Sequence, residues 1–393
     1  MLPIPVISPA ESAPSIRCVS CGFGNASRIT FGLDETVGNA AARIRVLSWG
    51  MSTVSASAPR ATIFPASMRE VLRNYASAAS LIMIGFAFYT ALFTFVPIYR
   101  ERIFTPTGFF AIEVVMIGYL ALLPLFYATF PDDYPVKCRL FWRALANLRS
   151  RRPTPKEATA IRAVGVKAFF MPLMIAWLFT GSIGLAHGLF NPGTLGLYEM
   201  AMSVIVLVDL SFFTVAYGVE HPRLKNEIRS VEPTVLGWAA ALACYPPFQL
   251  ATVAALGWFP LEHPEYESYG LQIPAGLLML GLMAIYTWAS VSLGLKASNL
   301  TNRGTVDHGP YAFIRHPAYI CKNLFWWVAA VPVVHRLVLS GDSGAAILAV
   351  LSLAAWTGIY TVRALTEERH LKADPDYRAY CDRVKWRYIP RVW

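Results

Sequence analysis

The residues best equipped for chemistry stand near the C-terminus. Gly309-Pro310-Tyr311 is followed four residues later by Arg315-His316-Pro317-Ala318-Tyr319, and then by an apolar, aromatic run. A second polar set comes after the last apolar segment: Arg363, Glu367 and Glu368, then Tyr377, Tyr380, Arg387 and Pro390. Ionisable groups at the mouth of a membrane segment are costly and are usually there for function. Arg363 and Glu367 are four residues apart and share a helix face. Glu367 suits a polar or cationic ligand, and Arg363 an anionic one. The adjacent carboxylates could hold a diol or offset a positive charge. A solvated helix end with an ordinary ion pair is the competing explanation.

Elements must position these groups. Pro317 lacks an N–H and has a fixed φ, so it fits the first turn of a helix. His316 is pushed away from helical geometry by the proline after it. A helix therefore begins near Pro317, with its positive end toward the polar loop. Tyr311, Phe313, Tyr319, Phe325, Trp326 and Trp327 surround that start. An interfacial aromatic belt with a snorkelling Arg315 explains the tryptophans. It does not explain the short fixed spacing of His316, the two tyrosines and the Gly-Pro turn.

The chain around these motifs has 393 residues, 55% hydrophobic and only 15% charged. Soluble domains carry about 25% charged residues. The composition implies an all-α, polytopic integral membrane bundle. The net charge of +10 sits in loops, where topology accounts for it, and no nucleic-acid-binding module is present. The six cysteines give no disulfide framework. Cys18 and Cys21 form a lone CxxC, a weak metal signal. Residues 1–70 lack a sustained apolar run and are expected to be a disordered tail. Residues 71–270 would hold five helices and their loops, and 271–393 a C-terminal module.

Eight apolar segments are expected near 75–98, 109–130, 168–190, 196–217, 234–258, 271–295, 318–338 and 344–365. Only helices or closed barrels satisfy backbone groups in lipid, and none of these runs alternates as a barrel strand does. The basic 131–167 loop places itself in the cytoplasm by the positive-inside rule. Both termini and both polar sets then fall on the cytoplasmic side, with Glu262, Glu265 and Glu267 outside. A bacterial inner membrane is expected, the endoplasmic reticulum or another organelle being the alternative. Asp209 lies mid-way along the fourth segment and is a candidate for lining a substrate cavity; Glu113 and His187 are also polar within segments. Pro246-Pro247 should kink the fifth helix.

Taken together, Gly-x-Tyr, Arg-His-Pro-x-Tyr, a helical hairpin, Arg-x-x-x-Glu-Glu, then Tyr-x-x-Tyr and Arg-x-x-Pro resemble the integral-membrane methyltransferases. These include the isoprenylcysteine carboxyl methyltransferases and, more distantly, the phospholipid N-methyltransferases. The resemblance covers about residues 285–393. It implies a pocket for S-adenosylmethionine formed by the hairpin and tail beside a lipid-facing tunnel. By motif position it implies cofactor contacts at Thr305, Val306, Tyr311, His316, Pro317, Ala318, Tyr319, Glu367 and the adjacent Glu368. Tyr380 and Arg387 would close the pocket, and Arg363 would act at the reacting group and bind substrate. One departure is Cys321, where the pattern has glycine, and its side chain is expected to narrow the pocket.

The implied activity is methyl transfer to a lipophilic acceptor, a carboxylate or amine on a lipid or isoprenoid-like molecule. A carboxylate needs no base; an amine would have to lose a proton, to His316 or a glutamate. Two other classes stay open. Sterol reductases, which use NADPH, share an Arg-His-Pro-x-Tyr hairpin, and their tail is echoed by Tyr380-Cys381 and Arg387-Tyr388-Ile389-Pro390. A non-catalytic membrane scaffold is the third.

Overall fold

The computed structural model describes residues 68–129, 137–257, 264, 266 and 269–392. The expected tail with Cys18 and Cys21, and the acidic residues Glu262, Glu265 and Glu267, lie outside the described residues. The fold is all-α. Its first helices are α1 (Met68–Phe95), α2 (Pro106–Thr129), α3 (Lys137–Ala146), α4 (Pro155–Phe190) and α5 (Leu197–Gly218). Two short helices follow, α6 (Val235–Leu242) and α7 (Phe248–Leu256). The C-terminal part holds α8 (Tyr269–Leu293), α9 (Pro317–Leu339), α10 (Ser343–Leu371) and α11 (Pro375–Arg383).

Among the described residues, seven helices are long and apolar enough to cross a bilayer: α1, α2, α4, α5, α8, α9 and α10. They make the chain an integral membrane protein. The difference from the expected eight lies in the fifth segment. Pro246 and Pro247 lack the N–H groups a continuing helix needs, so the segment breaks into α6 and α7 rather than bending. The broken pair still runs the length of α10. Glu232, just before α6, meets Arg369 at 2.9 Å. At the other end, a methyl added to Gly257 would lie 3.9 Å from Leu348 Cδ2. Leu348 and Arg369 are about 32 Å apart along a helix. The break turns Tyr245 inward, where it is buried.

Two other boundaries move. α1 starts at Met68, inside the expected tail. The expected 131–167 loop is largely helical, because α4 reaches back to Pro155. Thr154 caps it, with Glu157 completing a capping box and Pro155 in the first turn. Glu157, wholly buried, also takes Arg151 at 2.7 and 2.8 Å and Arg143 at 2.9 Å.

α8 packs against α9 and α5, and α9 against α10. Their shared core holds Met279, Met283, Phe325, Trp326 and Trp356. A two-residue antiparallel ladder, β1 (Ser230–Val231) with β2 (Thr301–Asn302), ties the loop after α5 to the loop before the Gly309 turn. Arg229 and Glu232 extend it through Asn302 O and Leu300 O, each at 2.8 Å. That ladder sets Asn299 and Glu232 beside α10.

Candidate active site

The Gly-Pro-Tyr turn owes its shape to glycine. Gly309 has φ +61°, a left-handed value that favours glycine. A Cβ there would lie 2.2 Å from Ser292 Oγ on α8. The turn thus lies flat on α8 and directs Tyr311 inward. From the tail, Tyr380 Oη donates to Tyr311 O at 2.8 Å. Burial pushes both phenols well above their ordinary pKa, so each stays a neutral hydroxyl.

Glu368 is the anchor of the assembly. Its buried carboxylate meets Arg315 Nε at 3.1 Å, His316 Nε2 at 3.2 Å, Lys372 Nζ at 3.3 Å and Arg387 Nε at 3.2 Å. The backbone repeats the link. Arg315 N donates to Trp386 O at 2.9 Å, and His316 N to Arg387 O at 3.0 Å. Helix α9, helix α10 and the tail are locked at one point.

Glu367 faces the other way. Its Oε2 accepts from Tyr319 Oη at 2.7 Å, and Tyr319 stacks on His316 with ring centres 5.4 Å apart. Arg363, one turn earlier, is buried. Its Nη2 bonds Asn299 Oδ1. Its guanidinium carbon lies 5.1 Å from the Tyr319 ring centre, 5.7 Å from Tyr245 and 5.8 Å from Tyr360. Cations over aromatic faces are stabilised without a counter-charge, and among the described residues no carboxylate forms an ion pair with Arg363. A rigid planar cation held this way can orient an anion.

These groups surround a cavity of about 640 Å³, counted with its open mouth, at the meeting of α5, α8, α9 and α10. Tyr311, Arg315, His316, Ala318, Tyr319, Arg363 and Glu367 line it. Of the other residues singled out from sequence, Pro317 starts α9 and is buried in its first turn. Glu368, Tyr380 and Arg387 brace the wall from behind. Thr305 and Val306 line no part of the cavity; Thr305 O accepts from Lys296 Nζ at 3.2 Å. Asp209 does not line it either. It stands behind Tyr286, whose hydroxyl reaches Asp209 Oδ2 at 3.5 Å. Ser290 and Lys322 are its other polar neighbours, and its Oδ1 has no hydrogen-bond partner. His187 is exposed and Glu113 half-buried, and neither lines the cavity. Cys321 points into the core of α8, α9 and α10, so its side chain does not narrow the pocket.

Several wall residues escaped the sequence reading: Tyr245, Tyr286, Asn299, Lys322 and Tyr360. Lys322 carried a signal, being a cation within an apolar run. It is almost fully buried, with Nζ 5.2 Å from the Trp326 ring centre and 5.9 Å from Tyr286. Tyr245 and Asn299 meet only through the break after α6 and the β1–β2 ladder, and no local pattern encodes either.

Comparison with known proteins adds one match. Residues 273–384 fit a family described as "Protein of unknown function (DUF1295)". The matched stretch runs from α8 through α11, the part that supplies most of this cavity's wall. No curated protein and no solved structure matches the chain.

Proposed function

We propose that the chain is an S-adenosylmethionine-dependent methyltransferase acting on a lipophilic acceptor, a carboxylate or amine of a lipid or isoprenoid-like molecule, at the cytoplasmic membrane face. One convergence carries this. Tyr311, His316, Ala318, Tyr319, Arg363 and Glu367, six of the motif-matched residues, line one cavity although they come from three separate segments. Its chemistry also fits. Glu367 offers a carboxylate for a diol or an ammonium, and the rings of Tyr319, Tyr245 and Tyr360 offer faces to a flat or cationic group.

S-adenosylmethionine would supply a methyl group already activated on a sulfonium. The chain has the remaining tasks of alignment, water exclusion and charge management. Glu367 is held in one orientation by Tyr319 Oη, and Glu368 fixes the α9 start beside it. Arg363, rigid among its rings, would orient an anionic acceptor. An amine acceptor would first lose a proton, and Glu367 is the carboxylate facing the cavity.

A second reading has one observation in its favour. Arg315, Lys322 and Arg363 all line the cavity, and such a cationic set would suit the phosphates of NADPH in a reductase. Arg315 is already paired with Glu368, which weakens that set. Membranes containing the chain, incubated with methyl-labelled S-adenosylmethionine and a lipid extract, should transfer label to the organic phase. Glu367→Ala should lower that transfer about tenfold. An unlabelled organic phase together with NADPH oxidation would instead support the reductase.

A further inference from the structure

A second cavity, of about 380 Å³ counted with the open space at its mouth, adjoins the first and shares Asn299, Tyr319, Arg363 and Glu367 with it. Its far wall is Glu232, Gly237, Thr301 and His370. Glu232 belongs to the loop after α5, outside both the C-terminal motifs and the matched family stretch. The side chain is 2% exposed. Its Oε1 accepts from Thr234 N at 3.0 Å, from Thr234 Oγ1 and from Arg369 Nη2 at 2.9 Å. Its Oε2 has no hydrogen-bond partner. A buried carboxylate oxygen left without a donor is costly, and a native chain keeps one where something else supplies the donor.

The surroundings hold that oxygen in place. Glu232 N donates to Leu300 O at 2.8 Å, and Trp238 Nε1 donates to Glu232 O at 2.9 Å. A Cβ on Gly237 would lie 2.3 Å from Glu232 Cγ, so α6 leaves room for the carboxylate by having glycine there. Across the cavity, Glu367 uses Oε2 for Tyr319, and no described side chain donates to its Oε1. The nearby His370 uses Nε2 with Ser230 Oγ at 2.8 Å. Arg363 is turned to Asn299 and its rings. Among the described residues no cluster of three or more His, Cys, Asp or Glu side chains could hold a metal ion.

We propose that this second cavity binds an aliphatic ammonium group between Glu232 Oε2 and Glu367 Oε1. An ammonium brings three N–H donors on a compact charge. An alcohol brings one donor, and a carboxylate brings none. The ammonium could belong to the amino-acid arm of S-adenosylmethionine or to an amine acceptor, and only that choice of source rests on the methyltransferase reading.

The test uses the full-length protein in detergent and three probes of equal size: butylammonium, butanol and butanoate, titrated by saturation-transfer NMR. Butylammonium should bind about tenfold tighter than butanol, the value of one charged hydrogen bond, and butanoate should not compete. Glu232→Gln should remove the preference, as should Gly237→Ala by displacing the carboxylate. The probe comparison is made on the unaltered chain, so it holds even if a variant misfolds. S-adenosylhomocysteine and 5′-methylthioadenosine, which lacks the ammonium arm, then identify the source. Weakening of the first alone by Glu232→Gln assigns the ammonium to the cofactor, and no change in either assigns it to the acceptor. If S-adenosylhomocysteine does not bind while butylammonium still depends on Glu232, the cofactor assignment falls and this site stands. Equal binding of butylammonium and butanol, or a preference that survives Glu232→Gln, overturns the proposal.

Discussion

Glu367 and Glu368 are adjacent in sequence and opposite in surroundings, so the same substitution should give two phenotypes. Glu368 is the one buried carboxylate shared by Arg315, Lys372, Arg387 and the His316 ring. Removing one partner of a buried ion pair costs about 3–5 kcal/mol. Glu368→Ala should therefore lower the melting temperature sharply and loosen the tail, read by calorimetry and limited proteolysis. Glu367 touches one partner, Tyr319 Oη. Glu367→Ala should leave the melting temperature near that of the parent chain and weaken ligand binding about tenfold, in line with one charge-assisted hydrogen bond. Arg363→Lys tests the third side chain. Lysine keeps the charge but loses the planar fork and the ring stacking, so turnover should fall about tenfold or more with the fold intact. Undiminished turnover would remove Arg363 from the reaction.

At the scale of the elements, the Gly309 turn and the start of α9 are the joints of the site. Gly309→Ala places a methyl against Ser292 and forces an unfavourable φ. It should cost about 1–3 kcal/mol and move Tyr311 out of the wall, which thermal unfolding and ligand titration would read separately. Cys321→Gly restores the expected pattern but removes a buried side chain from the α8–α9–α10 core. It should reduce stability by about 1 kcal/mol and leave ligand affinity unchanged. Much of this was legible in the residues. Pro317 marks the helix start, and Arg363 with Glu367 shares a face because helical periodicity makes them neighbours. What the sequence concealed depends on long-range pairing. Asn299 reaches Arg363 only because β1 and β2 join segments about seventy residues apart in the chain. Tyr245 joins the wall because two prolines break a segment whose apolar composition reads as one helix. The first 13 of the 36 residues of α4 lie beyond the apolar run because those turns are amphipathic.

For the molecule as a whole, the loop after α5 is tied to α3 and α4 by buried ion pairs as well as by helix packing. Burial alone would raise the Glu220 carboxyl, but Lys167 and Lys137 outweigh it and hold it well below the usual carboxylate range. The folded value therefore lies below the unfolded one, about 4.3. The stabilisation is complete above about pH 5 and is lost as the pH falls toward the folded value. Thermal unfolding in detergent should show a melting temperature that drops below about pH 4, and Glu220→Gln should flatten that drop. The central claim is that the cavity where α5, α8, α9 and α10 meet is an S-adenosylmethionine pocket. It is tested most directly by calorimetric titration of the detergent-purified chain with S-adenosylhomocysteine and with NADPH. Saturable binding of S-adenosylhomocysteine, weakened by both Glu367→Ala and His316→Ala, is expected, with no binding of NADPH. Saturable binding of NADPH alone would contradict it.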